Sequence, residues 1–504
     1  MENTIKIKWQ DIWKDIPGLK TEVMTNKIEI DREVIPIIVV PGIMGSRLKK
    51  GGNRAWDPDD LLFMAGLFGT AGPFEKKHMM IGQHFSDGYL QVDNDNAKHN
   101  KKKPCTVYKD AAARKWGGVS WGFYGALIEN LHRREWVEPV RHCFELPVHA
   151  CGYNWTASNR KSGEYLAKYI KDVIDGYTKQ GRVCKQVIVV THSMGGIVTR
   201  SACVLFGAEA DVLGVVHGVQ PVTGAPAAYW RMKGGNEREG GWGWFKSEIS
   251  AWVLGSNGRE VTALLGNMPG GLQLLPNKHY TTNAGSKQWL TVKVNGAMKG
   301  LPGGNPYSEI YKEQKAWWRL VNVEYLEPKE PPPMVTEGGY IVDLYDYEAR
   351  TAQAAWSNYL EYINEAESFH DALALKKHPN TYNFYSDNRT TADKISFTYK
   401  KDDWRQWLGH LNPRANTGGF RVYEGGEVID LDGGDGTGDG TVPKSSGAAL
   451  TVGTPRERRW DVFQEYEHGA FYKEGPVHRE TYIAIENICR GKILKEIFGA
   501  PPDW

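Results

Sequence analysis

Three short apolar runs in the first half of the chain predict buried strands. They span residues 34–40, 186–190 and 213–219, and Val and Ile supply most of their positions. The first run is followed by Pro41-Gly42, a pair that stops a strand. Runs this short and this apolar are typical of a parallel sheet whose two faces are both covered.

Between and after these runs, apolar positions recur at helical spacing. Residues 163–177 have the pattern of an amphipathic helix, and a second helical pattern continues after residues 191–196 to Leu205. Strands that alternate with helices form βαβ units, which place consecutive strands in one sheet. The sequence therefore predicts an α/β fold with a doubly wound, mostly parallel sheet.

The alternation stops near Gly224 and resumes only after residue 376. The intervening segment is rich in Gly, Trp and charged residues and is far longer than an ordinary loop, which indicates an inserted cap or lid. A strand at 381–385, a strand at 460–465 and a helix at 477–490 then complete the predicted core. The predicted organisation is an N-terminal extension (1–33), the first part of the α/β core (34–223), the inserted cap or lid (224–376) and the second part of the core (377–504).

Composition narrows the class of protein. Of the 504 residues, 41% are apolar and 24% are charged, which is typical of a globular chain. The 62 basic and 60 acidic residues leave a net charge of +2, which argues against nucleic-acid binding. The 19 Trp residues exceed what core packing alone explains, and they suggest an aromatic surface or an apolar cavity.

The N-terminus carries charges where a secretory signal peptide has its apolar core. No apolar run approaches the roughly 20 residues of a membrane span. We therefore expect synthesis in the cytoplasm, without a cleaved signal peptide or a transmembrane span. The six Cys residues include no C-x-x-C pair, so we expect reduced thiols and no zinc site.

Ser193 lies at a junction with the pattern of a nucleophile elbow. It stands between the strand at 186–190 and a helix that opens with Gly195-Gly196. A tight strand–turn–helix exposes a serine hydroxyl at a helix N-terminus, where negative charge is favoured. Thr191 replaces the first glycine of the usual G-x-S-x-G motif. The alternative is a glycine-rich turn with an incidental serine.

A serine nucleophile needs a base and an acid that orients the base, and in α/β-hydrolases the acid and then the histidine follow the serine in the chain. Asp439, in a glycine-flanked loop, is the predicted acid, and His468, after the last predicted strand, is the predicted base. His478 is the alternative base, although its position inside the closing helix is typical of a structural histidine. For the oxyanion we expect the N–H of Met194 and a second N–H from the loop at 41–45.

The Asp-rich segment at 430–439 has two further interpretations, a solvated turn and a calcium loop. Its spacing does not match an EF-hand, so we expect no metal and no cofactor, while calcium binding at this loop stays an open alternative.

In the cap, an apolar pattern at helical spacing predicts a lid that opens on a lipid surface. The alternative for that segment is a helix packed on the core. The predicted lid or lipid-contact residues are Trp242, Trp244, Phe245, Ile249, Trp252 and Val253.

Five motifs occur in the order found in lecithin:cholesterol acyltransferase-like lipases. They are VPGIMGSRL (40–48), CGYNW (151–155), THSMGG (191–196), MPGGLQLLP (268–276) and GDGTVP (438–443). The chain resembles this group over about residues 34–225, 265–276 and 380–490. Asn154 and Thr156 depart from the group's Tyr-Asp-Trp-Arg segment, which bears on how the cap is anchored.

The resemblance implies a capped α/β-hydrolase that acts on acyl esters of lipids. It implies Ser193, Asp439 and His468 as the triad, and the N–H groups of Ile43 and Met194 as the oxyanion hole. We therefore expect a serine lipase or phospholipase that hydrolyses membrane glycerophospholipids through an acyl-enzyme. The alternatives are a lipid acyltransferase, an intracellular esterase or lipase, and a non-catalytic binding protein of the hydrolase fold.

Within that group, the chain also looks like the bacterial lipase effectors of type VI secretion. These are triad phospholipases of similar size that lack signal peptides and enter rival bacteria. The resemblance implies delivery to the periplasm of a target cell and a transient, peripheral contact with its phospholipid membrane. It further implies an immunity protein and a component of the secretion spike as partners, and no nucleic acid.

Overall fold

In the computed structural model, the described part of the chain comprises residues 4–7, 28–82, 88–94, 108–235, 255, 258–294, 297–328, 352–401, 419–424, 427–432, 436–462 and 466–498. Its strands, numbered along the chain, are β1 (Thr4–Ile7), β2 (Ile28–Asp31), β3 (Glu33–Val34), β4 (Ile37–Val40), β5 (Leu48–Lys50), β6 (Asn53–Trp56), β7 (Gln91–Val92), β8 (Phe144–Glu145), β9 (Val148–Ala150), β10 (Val187–His192), β11 (Val212–Gly218), β12 (Leu290–Val294), β13 (Ala297–Leu301), β14 (Thr381–Ser386), β15 (Arg389–Thr390), β16 (Ile395–Lys401), β17 (Gly419–Glu424), β18 (Glu427–Asp432), β19 (Thr437–Gly438) and β20 (Arg459–Val462).

The α-helices of the described residues are α1 (Leu61–Phe68), α2 (Pro73–Met80), α3 (Trp121–Arg133), α4 (Val140–Cys143), α5 (Asn159–Thr178), α6 (Met194–Leu205), α7 (Pro226–Gly234), α8 (Gly258–Leu265), α9 (Pro269–Leu272), α10 (Val323–Leu326), α11 (Ala352–Leu373), α12 (Lys444–Gly447) and α13 (Gly475–Phe498). Short 3₁₀ turns lie at Trp116–Gly118, Ala208–Asp211, Ala449–Thr451, Arg456–Arg458 and His468–Lys473, and a π-helical turn lies at Tyr307–Tyr311.

A six-stranded sheet in the order β20-β14-β11-β10-β4-β9 forms the centre of the fold. Each of its neighbouring pairs is parallel. Every residue of β10 is buried, as the β-branched run of the sequence predicts for a sheet that is covered on both faces. The predicted fold class, α/β with a mostly parallel, doubly wound sheet, is confirmed.

The sheet buries side chains on both faces, because successive residues of a strand point to opposite sides. In β4, Ile38 and Val40 join the core that α5 and α6 cover, whereas Ile37 and Val39 join the core beneath α3 and α13. The carboxyl ends of the strands share one edge, where the loops after β4 and β10 meet. Ligand sites of open α/β sheets form at that edge.

A second sheet, in the order β13-β12-β16-β18-β17, combines strands from both sides of residue 376. β12 pairs with β16 in parallel, and Leu290 and Phe397 from these two strands are buried in the same core as Tyr229. A domain boundary at residue 376 therefore separates strands that are hydrogen-bonded to each other. We propose that residues 395–432 also belong to the inserted region, which the core strand β14 interrupts, and the other boundaries stay predictions.

The predicted core elements lie close to the observed ones. The run at 34–40 forms β3 and β4, the runs at 186–190 and 213–219 form β10 and β11, 381–385 forms β14, and the predicted helices at 163–177 and 477–490 lie within α5 and α13. The predicted last strand, 460–465, corresponds to β20, although residues 463–465 lie outside the described part. No helix among the described residues combines the length and the apolar character that crossing a membrane requires.

Candidate active site

Ser193 occupies the sharp turn between β10 and α6. Its backbone has φ 51° and ψ −124°, a conformation that residues other than glycine rarely adopt. The N–H of Ser193 donates to the carbonyl oxygen of Gly218, which ties the turn to β11 (2.9 Å). Gly195 allows α6 to approach β4, because a Cβ at this position would lie 2.7 Å from the carbonyl oxygen of Val40. This is the local geometry of a nucleophile elbow.

The three residues predicted as a triad lie within hydrogen-bond distance of one another. Nε2 of His468 is 2.7 Å from Oγ of Ser193, and Nδ1 of His468 is 2.6 Å from Oδ2 of Asp439. The other oxygen of the buried carboxylate accepts the N–H groups of Thr441 (2.9 Å) and Val442 (2.7 Å), which fix its orientation. With its Nδ1–H donated to the carboxylate, His468 presents Nε2 as an acceptor for the serine proton.

Backbone hydrogen bonds hold the acid loop and the base loop together. The N–H of His468 donates to the carbonyl oxygen of Asp439 (3.2 Å), and the N–H of Asp439 donates to Val442 (3.3 Å). The preceding residue, Gly438, belongs to β19, which pairs antiparallel with β15 just after β14 ends. The acid is therefore fixed to the same edge of the sheet as the serine.

The loop after β4 packs directly against the elbow. A Cβ added to Gly42 would lie 3.0 Å from Cβ of Ser193, so only glycine fits here without displacement. Among the described residues, no acceptor engages the N–H of Ile43. The N–H of Met194 lies in the first turn of α6, where helices leave N–H groups without intrahelical acceptors. Neither predicted oxyanion donor therefore has an acceptor in the part of the chain that the structure describes.

His192, the residue before the serine, is not available as a base. One ring nitrogen, Nδ1, lies 2.9 Å from the hydroxyl of Tyr124, and the other, Nε2, lies 2.9 Å from the carbonyl oxygen of His468. Burial, together with the nearby charge of His468, lowers the pKa of His192 to about 3. The ring is therefore neutral at physiological pH.

His478, the alternative base, lies in the core at the start of α13. Its Nδ1 is 3.0 Å from the side-chain nitrogen of Asn130, and its Nε2 is 2.9 Å from the carbonyl oxygen of Tyr472. Burial lowers the pKa of this imidazole. Both ring nitrogens are engaged by structural partners, so the arrangement favours His468 over His478.

Other predicted sites fall partly or wholly outside the described residues. The predicted lid residues Trp242, Trp244, Phe245, Ile249, Trp252 and Val253 all lie outside them. Of the Asp-rich segment, Asp430 and Asp432 lie in β18 and Asp439 contacts His468. Across the described ranges, no three His, Cys, Asp or Glu side chains are grouped so that they could hold a metal ion.

Two buried tyrosines at the site were not predicted from the sequence. Tyr124 accepts a hydrogen bond from the N–H of Gly42 (2.9 Å), and Tyr153 donates one to the carbonyl oxygen of Pro41 (3.0 Å). Tyr153 belongs to the CGYNW motif, so the sequence did contain an indication that this residue matters. Tyr124 lies in an amphipathic helix, where an aromatic residue on the buried face is ordinary.

These features define the α/β-hydrolase fold. The sheet is mostly parallel, and a serine occupies a strained turn between a strand and a helix. An Asp and a His follow this serine in the chain and contact one another. The comparisons agree with this class. The family model for the PGAP1-like alpha/beta domain matches residues 157–232, a segment that contains Ser193. A comparison with curated proteins finds no match.

A solved structure extends the likeness to nearly the whole chain. A chain from "The crystal structure of Tle4-Tli4 complex" is similar over 91% of this protein and 99% of its own length. The TM-score is 0.67 and the sequence identity is 24%. The shared architecture therefore includes the inserted region as well as the hydrolase core.

Proposed function

We propose that the protein is a serine lipase or phospholipase that hydrolyses acyl esters of membrane glycerophospholipids. The proposal rests on one observation, the hydrogen-bonded sequence Asp439–His468–Ser193 at the carboxyl edge of the sheet. A serine hydroxyl next to an imidazole that contacts a carboxylate is the arrangement that activates serine in acyl transfer.

The proposed reaction proceeds through an acyl-enzyme. Oγ of Ser193 attacks the ester carbonyl carbon while Nε2 of His468 takes the hydroxyl proton, and the N–H groups of Ile43 and Met194 stabilise the oxyanion. His468 then gives the proton to the leaving alcohol. Water, deprotonated by the same imidazole, attacks the acyl group and releases the fatty acid. Asp439 keeps the imidazole in the required tautomer, and this chemistry requires no cofactor.

An exposed apolar helix beside the site supports a lipid substrate. Residues 61–74, which begin with α1, contain no charged side chain, and the side chain of Leu62 is 88% exposed. The ring of Trp56 packs against Phe68, and its Nε1–H donates to the carbonyl oxygen of Met44 in the loop after β4 (3.0 Å). Transfer of such a surface from water to a lipid interface lowers the free energy.

The predicted lid at 242–254 belongs to the same proposal, on the strength of its sequence alone. If this segment gates the site, the rate should rise when the substrate passes from monomers to vesicles. Trp252→Asp should reduce that rise more than it reduces hydrolysis of a short soluble ester. Equal losses on both substrates would favour a helix packed on the core.

The biological role that we propose is that of an antibacterial effector. The resemblance to type VI secretion lipases supports it, and so does the fold shared with a chain of the Tle4–Tli4 complex. An immunity protein and a component of the secretion spike are the proposed partners, and the target-cell periplasm is the proposed site of action. Periplasmic expression should therefore be toxic and cytoplasmic expression much less so. Toxicity that persists in Ser193→Ala would contradict this role.

The enzymatic proposal is tested with vesicles of phosphatidylethanolamine and phosphatidylglycerol. Mass spectrometry would measure fatty acid and lysophospholipid released by wild type, Ser193→Ala and Ser201→Ala. Ser201 is a matched control, because it is a buried serine on α6 whose hydroxyl has no hydrogen-bond partner among the residues that the structure describes. We expect Ser193→Ala to lower the rate of hydrolysis by at least about 10³-fold and Ser201→Ala to hydrolyse the lipid at the rate of wild type. Fatty acyl esters formed with an added alcohol would indicate acyl transfer instead.

A further inference from the structure

A continuous chain of hydrogen bonds joins the loop after β4 to the loop that carries His468. The N–H of Gly42 lies 2.9 Å from the hydroxyl of Tyr124, and this hydroxyl lies 2.9 Å from Nδ1 of His192. Nε2 of His192 in turn lies 2.9 Å from the carbonyl oxygen of His468. Gly42 and Tyr124 are 82 positions apart, and His192 and His468 are 276 apart.

The direction of every bond in this chain is determined. A carbonyl oxygen only accepts, so Nε2 of His192 carries the proton that it donates to His468. The ring is neutral, because burial lowers the pKa of His192 to about 3, so its Nδ1 accepts. Tyr124 must therefore donate its O–H to Nδ1, and its oxygen accepts the N–H of Gly42. Burial also raises the pKa of Tyr124, which keeps the phenol protonated.

The peptide group that joins Pro41 to Gly42 is held at both its N–H and its carbonyl oxygen. Tyr124 accepts the N–H of Gly42, and Tyr153 donates to the carbonyl oxygen of Pro41 (3.0 Å). The next peptide group carries the N–H of Ile43, and its carbonyl oxygen, that of Gly42, accepts the N–H of Gly45 (3.1 Å). The two tyrosines and this turn together set the direction of the Ile43 N–H. Gly45 leaves room for this packing, because a Cβ there would lie 2.8 Å from the Tyr124 hydroxyl.

We propose that Tyr124 and His192 are positioning residues of the reaction, which hold the oxyanion N–H of Ile43 and the base His468 in one fixed relation. This inference rests on the proposed function and deepens it. Neither residue touches the reacting atoms. His192 is the link between the two halves, since it ends β10, contacts the base loop with Nε2 and accepts from Tyr124 with Nδ1.

This chain of hydrogen bonds should stabilise the transition state and have little effect on substrate binding. The oxyanion exists only in the tetrahedral states of acylation and deacylation, so a misdirected N–H slows both steps. A displacement of about 1 Å is enough for a loss of roughly 100-fold when reacting groups must be aligned. Tyr124→Phe removes one oxygen atom and both hydrogen bonds that it makes. We expect it to lower kcat by about 10- to 100-fold, with KM changed less than about twofold.

The test compares wild type, Tyr124→Phe and the matched control Tyr169→Phe. Tyr169 is likewise buried, and within the described ranges its hydroxyl has no hydrogen-bond partner. For each protein, kcat and KM are measured with p-nitrophenyl butyrate, together with the affinity for an alkyl boronic acid, which forms a charged tetrahedral adduct with serine. Tyr124→Phe should weaken boronate affinity by nearly the same factor as kcat, while Tyr169→Phe stays within twofold of wild type.

Variants of His192 separate the two links of the chain. His192→Gln retains a donor near the position of Nε2, and His192→Asn retains an acceptor near that of Nδ1. We expect each to lose kcat, and each combined with Tyr124→Phe to lose less than the product of the two single losses. Should the His192 variants fail to fold, Tyr124→Phe alone decides.

Three outcomes would overturn the inference. They are a kcat for Tyr124→Phe within twofold of wild type, a loss confined to KM, and a loss of kcat that matches the loss of sites titrated by a fluorophosphonate. The last would mean that Tyr124 only stabilises the fold. Failure of the proposed function has a different signature, namely ester hydrolysis by wild type that Ser193→Ala does not diminish.

Discussion

Nε2 of His468 lies 2.7 Å from Oγ of Ser193, although 275 positions of the chain separate the two residues. The loop after β20 carries the histidine and the turn after β10 carries the serine, with β14 and β11 between them in the sheet. The contact therefore exists only when the parallel sheet is complete. This dependence makes the pair a sensitive test of both the fold and the proposed chemistry.

Replacing His468 by Ala should lower kcat by at least about 10³-fold, because Ser193 then lacks a base. His478→Gln is the control, since His478 makes two structural hydrogen bonds and has no contact with Ser193 among those that the structure describes. We expect it to reduce the free energy of unfolding by about 1–3 kcal/mol and to retain turnover. Hydrolysis of p-nitrophenyl butyrate and urea unfolding measure the two effects. Near-normal turnover in His468→Ala would transfer the role of base to another histidine.

Lowering the pH should destabilise the protein through its buried histidines. Burial lowers the pKa of His149, His192 and His217 to about 3 and that of His370 to about 4. In the unfolded chain such groups titrate near pH 6.5. Between about pH 6.5 and pH 4 the unfolded state therefore binds more protons. The free energy of unfolding falls as the pH falls through this window, by about 1.4 kcal/mol per pH unit and group.

Urea unfolding at pH 7.5 and pH 5.0 measures this effect. His217→Gln should reduce the loss of stability between these two pH values by about 2 kcal/mol, because one of the groups that take up protons on unfolding is gone. An unchanged loss in this variant would show that His217 does not contribute to the pH dependence.

Two glycine-to-alanine substitutions should have opposite effects on stability. A Cβ at Gly195 would lie 2.7 Å from the carbonyl oxygen of Val40 and even closer to that of Pro41, so the helix and the strand must separate. We expect Gly195→Ala to lower the free energy of unfolding by at least about 2 kcal/mol. At Gly176, within α5, an added Cβ meets no atom within 4 Å. Gly176→Ala should stabilise by about 0.5–1 kcal/mol. Urea unfolding of both variants gives the comparison, and equal shifts would contradict it.

Leu62→Asp should weaken action on vesicles and leave soluble-ester hydrolysis nearly unchanged. Burial of a leucine side chain in an apolar environment contributes about 1.5–3 kcal/mol, which corresponds to roughly a 10- to 100-fold loss of vesicle binding. Val452 is a matched control, because it is apolar and 78% exposed but precedes β20 and contacts Lys377, which precedes β14, at the edge of the sheet opposite the active site. Val452→Asp should leave both activities intact. Vesicle sedimentation and fatty acid release measure the effect, and equal losses in both variants would remove α1 from the lipid-binding surface.

Local patterns in the sequence were sufficient for the core strands and for the three polar residues that meet at the site. The run at 186–190, the serine of the tight turn and the glycine-flanked Asp439 are each specified by neighbours in the chain. Tyr124 could not be predicted in this way, because its partners Gly42 and His192 come from other elements and only the folded structure brings them to its hydroxyl. The second sheet was also missed, since β12 and β16, which pair in it, lie far apart in the chain on the two sides of residue 376.

Asp439 follows β18, a strand of the second sheet, by only a few positions, and β19 between them is held by β15. The chain thus reaches its acid only after passing through the inserted region. Exchanging that region for one from another hydrolase, as a way to change the substrate, would also displace the anchor of the carboxylate. In this protein, recombination that exchanges the substrate-recognising region also alters the anchor of Asp439, the carboxylate that orients His468. The inserted region and the acid loop should therefore be inherited together as one unit.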